Sequence, residues 1–177
     1  MGLTIRSFLL LLLAFICRTT TADAADFFWV GGAGSWQHAA SWSLTPGGKG
    51  GAGTPAATDD VFIDGSSFSA AGQLIQLDET ATCRNFYWNT FSGNAGGLSG
   101  QGKLTVTGNF SVLSPIQGNF NGTFFLNATG KTQQLQSDYA CPGTMILQSG
   151  NYETVKTILF DGDLFVKEAM LDIKNSI

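Results

Sequence analysis

Lys103-Leu104-Thr105-Val106-Thr107-Gly108-Asn109-Phe110-Ser111-Val112 places two short strand patterns back to back. Leu104, Val106, Phe110 and Val112 are apolar, and Thr105 and Ser111 alternate with them. Successive side chains on a strand point to opposite faces, so each half offers one apolar and one polar side. Gly108-Asn109 between the halves supplies a single bend. A hairpin would need a two-residue turn between longer alternating strands. The second strand therefore leaves at an angle to the first, as in a coil turning a corner.

The same pattern spreads outward in both directions. Upstream lie Asp60 to Asp64, Leu74 to Asp78 and Arg84 to Trp88. Downstream lie Asn109 to Leu113, Gly122 to Asn127, Thr132 to Gln136, Thr144 to Gln148, Thr157 to Phe160, Leu164 to Val166 and Met170 to Lys174. Gly and Asn punctuate them, at Gly96-Gly97, Gly118-Asn119, Asn121-Gly122, Gly150-Asn151 and Asp161-Gly162-Asp163. Strands recur about every 8 to 14 residues, a spacing shared by β-sandwiches and β-solenoids. Short strands separated by single bends favour the solenoid, with the sandwich as the alternative. Asn, Thr and Ser beside the turns are suited to stacking from rung to rung. No segment holds a sustained helical period.

The N-terminus has the three-part layout of a secretory leader. Arg6 supplies positive charge, Phe8 to Cys17 is an unbroken apolar run, and Ala22-Asp23-Ala24 offers small residues for cleavage after Ala24. The apolar run is far short of the roughly 20 residues a membrane span needs. Residues 1–24 are thus read as a signal peptide, and the mature chain as secreted or exposed on the cell surface. Losing Arg6, Arg18 and Asp23 takes 9 basic and 13 acidic residues to 7 and 12, a net charge of about −5. That balance argues against nucleic acid and anionic membranes, which need a basic footprint.

Residues 25–58 read as an N-terminal cap, and 59–177 as the rungs. The cap is rich in glycine, holds Pro46 and Pro55, and contains Trp29, Trp36 and Trp42. Tryptophans are uncommon in disordered linkers, and a stack of rungs needs its end covered.

Phe28-Trp29-Val30-Gly31-Gly32-Ala33-Gly34-Ser35-Trp36, followed by Ala40-Ser41-Trp42-Ser43, resembles a recurrent opening of secreted bacterial β-helix proteins. Pro55 through Asp59-Asp60-Val61-Phe62-Ile63-Asp64 fits the next part of that opening, and Leu77-Asp78 through Cys83-Arg84-Asn85-Phe86 is similar to its following strand pair. Such modules are most familiar from large cell-surface and secreted proteins of the Bacteroidota. A looser similarity runs to the glycine-rich G8 domain of animal surface proteins. The specific part of the resemblance spans roughly residues 27 to 90. It implies a right-handed β-helix with a role in adhesion or surface architecture, and it transfers no catalytic residue. Large members continue through many more rungs, which implies rungs incomplete at the C-terminus here.

Candidate functional residues are few. His38 is the sole histidine, with no sequence partner for nucleophilic catalysis. Asp60 and Asp64 share strand parity and can face one side, as a Ca²⁺ or acid/base pair would require; each also fits a strand start or an Asp-Gly turn. Asp161 and Asp163 resemble a fragment of a Ca²⁺ loop without its remaining ligands. Arg84 and scattered lysines form no basic cluster of the kind a polysaccharide lyase needs. No catalytic, cofactor or metal residue is therefore assigned.

Two cysteines remain after the leader, Cys83 and Cys141. In an exported protein they either pair or serve as small buried residues. Tyr87 lies between Phe86 and Trp88; if those two face the core, Tyr87 is exposed and can stack on a sugar ring. Asn109, Asn121 and Asn127 open glycosylation sequons. The reading is a secreted or cell-surface structural or adhesion module without catalysis. A polysaccharide-active β-helix enzyme or a carbohydrate-binding module is the alternative. Expected partners are extracellular polysaccharide or cell-surface components. Self-association is expected through the C-terminal edge, where apolar strand patterns run up to Ile173 with no cap after them.

Overall fold

Each short alternating segment becomes a strand, and nearly every strand pairs in parallel with its counterpart one turn later. The computed structural model describes residues 23–173. Over them the chain is all-β and winds as a β-solenoid of about five turns. The leader lies outside the described residues apart from Asp23 and Ala24.

The first strands are β1 (Asp26–Trp29), β2 (Gly34–Ser35), β3 (Trp42–Ser43), β4 (Asp60–Ile63), β5 (Leu74–Gln76), β6 (Thr80–Cys83) and β7 (Phe86–Trp88). They are followed by β8 (Gly97–Ser99), β9 (Lys103–Val106), β10 (Phe110–Val112), β11 (Thr123–Asn127), β12 (Gln133–Cys141), β13 (Thr144–Phe160) and β14 (Leu164–Asp172). Three parallel ladders make the walls. One runs β1-β4-β7-β10-β12 and on to the far half of β13. A second runs β6-β9-β11, the near half of β13, and β14. The third, β2-β5-β8, fades into single bridges at Gln117 and Phe120. Beyond them only tight turns at Pro142-Gly143 and Asp161–Asp163 join the two surviving walls. The coil thus narrows from three sides to two. Parallel pairing on every wall excludes the sandwich alternative, which is built from antiparallel strands.

Alternation sorts the side chains. Val61, Phe86, Phe110 and Leu135 stand in register and are fully buried. The Phe86 and Phe110 rings stack at 5.4 Å. Identical inward positions therefore form apolar columns down the axis, the means by which a solenoid builds a core from short strands.

One corner belongs to glycine. A Cβ on Gly122 would meet Gly102 O at 2.1 Å, and one on Gly162 would meet Gly143 O at 1.9 Å. Thr123 N–H donates to Gly102 O and Thr144 N–H to Gly122 O, both at 2.9 Å. The rungs approach too closely there for any side chain.

The cap, residues 25–58, is more than a lid. Asp26–Trp29 pairs in parallel with β4 and Gly34–Ser35 with β5, so both are already rung strands. The covering element is β3, the one antiparallel strand among the described residues, which lies along the outer edge of β1. Trp42 of β3 is buried with Trp29 and Trp36, with ring pairs at 5.0 and 4.8 Å. The indole N–H groups of two of them are satisfied locally: Trp29 donates to Gly32 O and Trp42 to Trp36 O.

Several strand boundaries differ from the sequence expectation: the run Leu164 to Val166 and the one that begins at Met170 share β14, and the run Thr132 to Gln136 extends to Cys141. Thr144 to Gln148 and Thr157 to Phe160 belong to one strand, because the polar stretch between them is paired to rungs on both sides. Arg84 and Asn85 precede β7 and form a corner instead of extending it.

Candidate functional site

The outward positions of the first wall hold an aromatic column. Each of the first three strands there reads buried–outward–buried: Phe27-Phe28-Trp29, Val61-Phe62-Ile63 and Phe86-Tyr87-Trp88. Register aligns Phe28 with Phe62 and Phe62 with Tyr87. Their rings stack in sequence, Phe28 on Phe62 at 4.9 Å and 16°, Phe62 on Tyr87 at 4.9 Å and 18°. All three are half-buried. The next residues in register are Ser111 and then Gln136, so no ring continues the column past Tyr87. Each stacked pair contributes roughly 0.5–1.5 kcal/mol beyond its area burial.

A polar ladder runs beside the column along one corner. Arg84 holds Asp60 through two hydrogen bonds, Nε to Oδ1 at 2.7 Å and a terminal guanidinium nitrogen to Oδ2 at 2.8 Å. The Asp60 bond holds the guanidinium above its ordinary pKa. Asn85 Nδ2 adds a third bond to Asp60 Oδ1 at 2.8 Å. Asn109 N–H then donates to Asn85 Oδ1, and Gln134 N–H to Asn109 Oδ1. Next to this ladder lies an open cleft of about 500 Å³ whose lining includes Ala24, Thr58, Arg84, Asn85, Thr107 and Asn109. Aromatic edge and polar corner adjoin on one wall, the combination that sugars require: apolar faces to stack on, and amide or hydroxyl groups to bond.

The other candidates are held in local structure. Asp60 and Asp64 do not combine into a metal or acid/base pair. Asp60 is bound by Arg84 and Asn85, whereas Asp64 accepts from Ser66 N–H and Oγ in the following turn. His38 is exposed, and its Nδ1 lies 3.4 Å from Ser41 Oγ within one tight turn. Asp161 and Asp163 are exposed in the turn between β13 and β14. Among the described residues, no group of three or more His, Cys, Asp and Glu side chains is placed to hold a metal ion.

Cys83 and Cys141 are both buried free thiols, not a disulfide. Cys83 points inward on β6, in register with Val106. Cys141 closes β12 in register with Phe160, its sulfur 3.0 Å from Ser137 Oγ. Burial pushes both thiols up, Cys141 to about 12, and Asp60 and Asp59 push Cys83 further the same way.

Of the sequon residues, Asn121 is exposed. Asn109 is tied into the corner ladder, and Asn127 accepts a hydrogen bond from Ser149 Oγ at 2.7 Å. Tyr87 stands outward as its neighbours required. Sequence reading missed Phe28 and Phe62 as its partners, although an aromatic stands in the middle position of all three triplets.

No protein-family model matches the chain, and the searches of curated proteins and of solved structures returned no match either. Among the described residues, no helix is long and apolar enough to cross a membrane.

Proposed function

We propose that this β-solenoid is a secreted or cell-surface structural and adhesion module that contacts extracellular glycan without transforming it. The observation that carries the reading is the outward column Phe28–Phe62–Tyr87, which meets Ser111 next in register and so has no ring stacked on the far side of Tyr87. A pyranose ring laid against Tyr87 continues the stack over the small Ser111 side chain. Gln136, one rung further, and the amides of the corner ladder lie within the same wall to bond its hydroxyls. The carboxylates nearest the column support the non-catalytic reading. Asp60 has both oxygens engaged by Arg84 and Asn85, so it is a poor general base, and Asp64 is spent on a turn.

The test is calorimetric titration of the mature chain with a panel of neutral and acidic polysaccharides, with and without Ca²⁺, together with an assay for new reducing ends. Saturable binding without turnover is expected, weakened about tenfold or more by Tyr87→Ala, which corresponds to about 1.4 kcal/mol or more. Turnover that disappears in Asp60→Ala would replace this reading with that of a polysaccharide-active enzyme.

A further inference from the structure

The backbone nitrogen of Ala25 donates to Asp59 Oδ1 at 3.0 Å. Asp59 is only 6% exposed. Its second oxygen accepts Ala56 N–H at 2.8 Å, and its own N–H returns a bond to Ala56 O at 3.0 Å. The carboxylate is therefore locked in the turn before β4 and aimed at the first residue of the solenoid. Its hydrogen-bond donors among the described residues are both neutral backbone amides. Arg84 is committed to Asp60 instead. A buried carboxylate without a cationic partner is a costly arrangement.

We propose that the leader is cut between Ala24 and Ala25, and that the ammonium group so created at Ala25 is the counter-ion of Asp59. The inference rests on reading residues 1–24 as a removable leader. Hydrolysis adds the hydroxyl of water to the Ala24 carbonyl carbon and its hydrogen to the Ala25 nitrogen. The freed amine takes a further proton from solvent at neutral pH. Its nitrogen already stands at hydrogen-bond distance from Oδ1, and Asp60 N–H holds the Ala25 carbonyl at 2.8 Å. Docking therefore requires no rearrangement. A charged donor replaces a neutral one on the same acceptor, which about doubles the strength of such a bond. The same cut takes Ala24 off the rim of the corner cleft. Maturation thus locks the first rung and opens the polar corner in one step.

Three forms of the chain test this: one beginning at Ala25 with a free amine, the same form acetylated on that amine, and one retaining Ala22-Asp23-Ala24. The free-amine form is expected to melt about 3 °C above the other two. That gap should vanish when all three carry Asp59→Asn. Should Asp59→Asn not fold, amine acylation gives the answer in the unaltered chain. The Ala25 amine should react on the order of tenfold more slowly in the native state than in urea, the effect of about one pKa unit. Equal melting temperatures in the unaltered chain, or a native acylation rate equal to that in urea, overturn the docking. The leader reading is judged separately, by the N-terminal mass of protein exported from a secreting host. A mature start other than Ala25 overturns the cleavage assignment whatever the melting temperatures show.

Discussion

Asn109 donates its backbone N–H to Asn85 Oδ1 at 2.7 Å, across 24 residues of chain. Asn85 in turn bonds Asp60 across 25 residues, and Gln134 bonds Asn109 across another 25. Asn85 and Asn109 each satisfy a backbone N–H of the next turn, and Asp60 takes the Asn85 side chain, at a corner where strand pairing is interrupted. Asn85→Ala removes an acceptor from Asn109 N–H and a donor from Asp60. Asp60 keeps both Arg84 bonds, so the cost falls on the half-buried Asn109 N–H, and such an orphaned group costs about 1–3 kcal/mol. Urea unfolding should show a loss of roughly 2 kcal/mol or more, and Asn85→Asp should not restore it, because a second carboxylate then faces Asp60. A loss below 0.5 kcal/mol would show that water replaces the ladder.

Gly122 stands where its Cβ would meet Gly102 O at 2.1 Å and the Phe120 ring at 2.4 Å. Backbone carbonyl and buried ring are both fixed, so neither can yield as a flexible side chain does. Gly122→Ala should therefore destabilise by about 1–3 kcal/mol, the range for overpacking a filled site. Gly130→Ala is the contrast: no atom lies within 4 Å of its Cβ position, and only its φ of 88° opposes the change. Gly130→Ala should be the milder of the two in the same urea series. Equal losses would mean that the rungs yield at Gly122 and that their close approach there costs little.

Much of this fold was legible because solenoid rungs are local. The alternation in Lys103 to Val112 identified two strands and the corner between them. The triplet Phe86-Tyr87-Trp88 showed that Tyr87 faces outward once its neighbours face in. Other features depend on register, which one strand does not reveal. Phe28 and Phe62 become partners of Tyr87 only when β1, β4 and β7 stack in step. Asp60 reads as a free carboxylate until Arg84, 24 residues later, returns to the same corner. The loss of the third wall was hidden for a similar reason. Turns such as Pro142-Gly143 look alike whether they replace a wall or merely bend one.

Buried weak acids make the fold sensitive to alkali. Burial raises the thiols of Cys83 and Cys141 from 9.0 and the phenol of Tyr152 from 10.0; Cys141 and Tyr152 reach about 12. The folded state holds each of these protons more tightly than the unfolded chain. Their contribution is complete below the unfolded values and is lost as pH rises through the folded ones. Stability should therefore fall only above about pH 9, by up to ~1.4 kcal/mol per pH unit for each thiol. Urea midpoints measured from pH 8 to pH 11 check this. A thiol reagent at pH 8 should leave both cysteines unmodified until denaturant is added. Rapid native labelling of either would contradict its burial.

The last described strand is where association should begin. β14 pairs with β13 on one side, and no described strand covers its other side. Leu164, Phe165, Val166 and Met170 on it, and Ile173 just after it, are 37–65% exposed. Comparable inward residues on earlier rungs, such as Met145 and Leu147, are buried by the turn that follows them. The opposite end of the coil differs: β3 lies along β1 and three tryptophans close the core there. Unpaired N–H and C=O groups beside contiguous apolar side chains form a template for another strand. A chain spanning residues 25–177 should therefore self-associate as concentration rises, and light scattering on eluting fractions should show mass above the monomer. Phe165→Lys with Met170→Lys places charge on that edge, a known means of blocking strand addition. The double variant should elute as a monomer and retain its β circular dichroism spectrum. Monomeric behaviour of the unaltered chain over a wide concentration range would refute the edge as an association surface. Persistence of the larger species in the double variant would move the contact elsewhere on the solenoid.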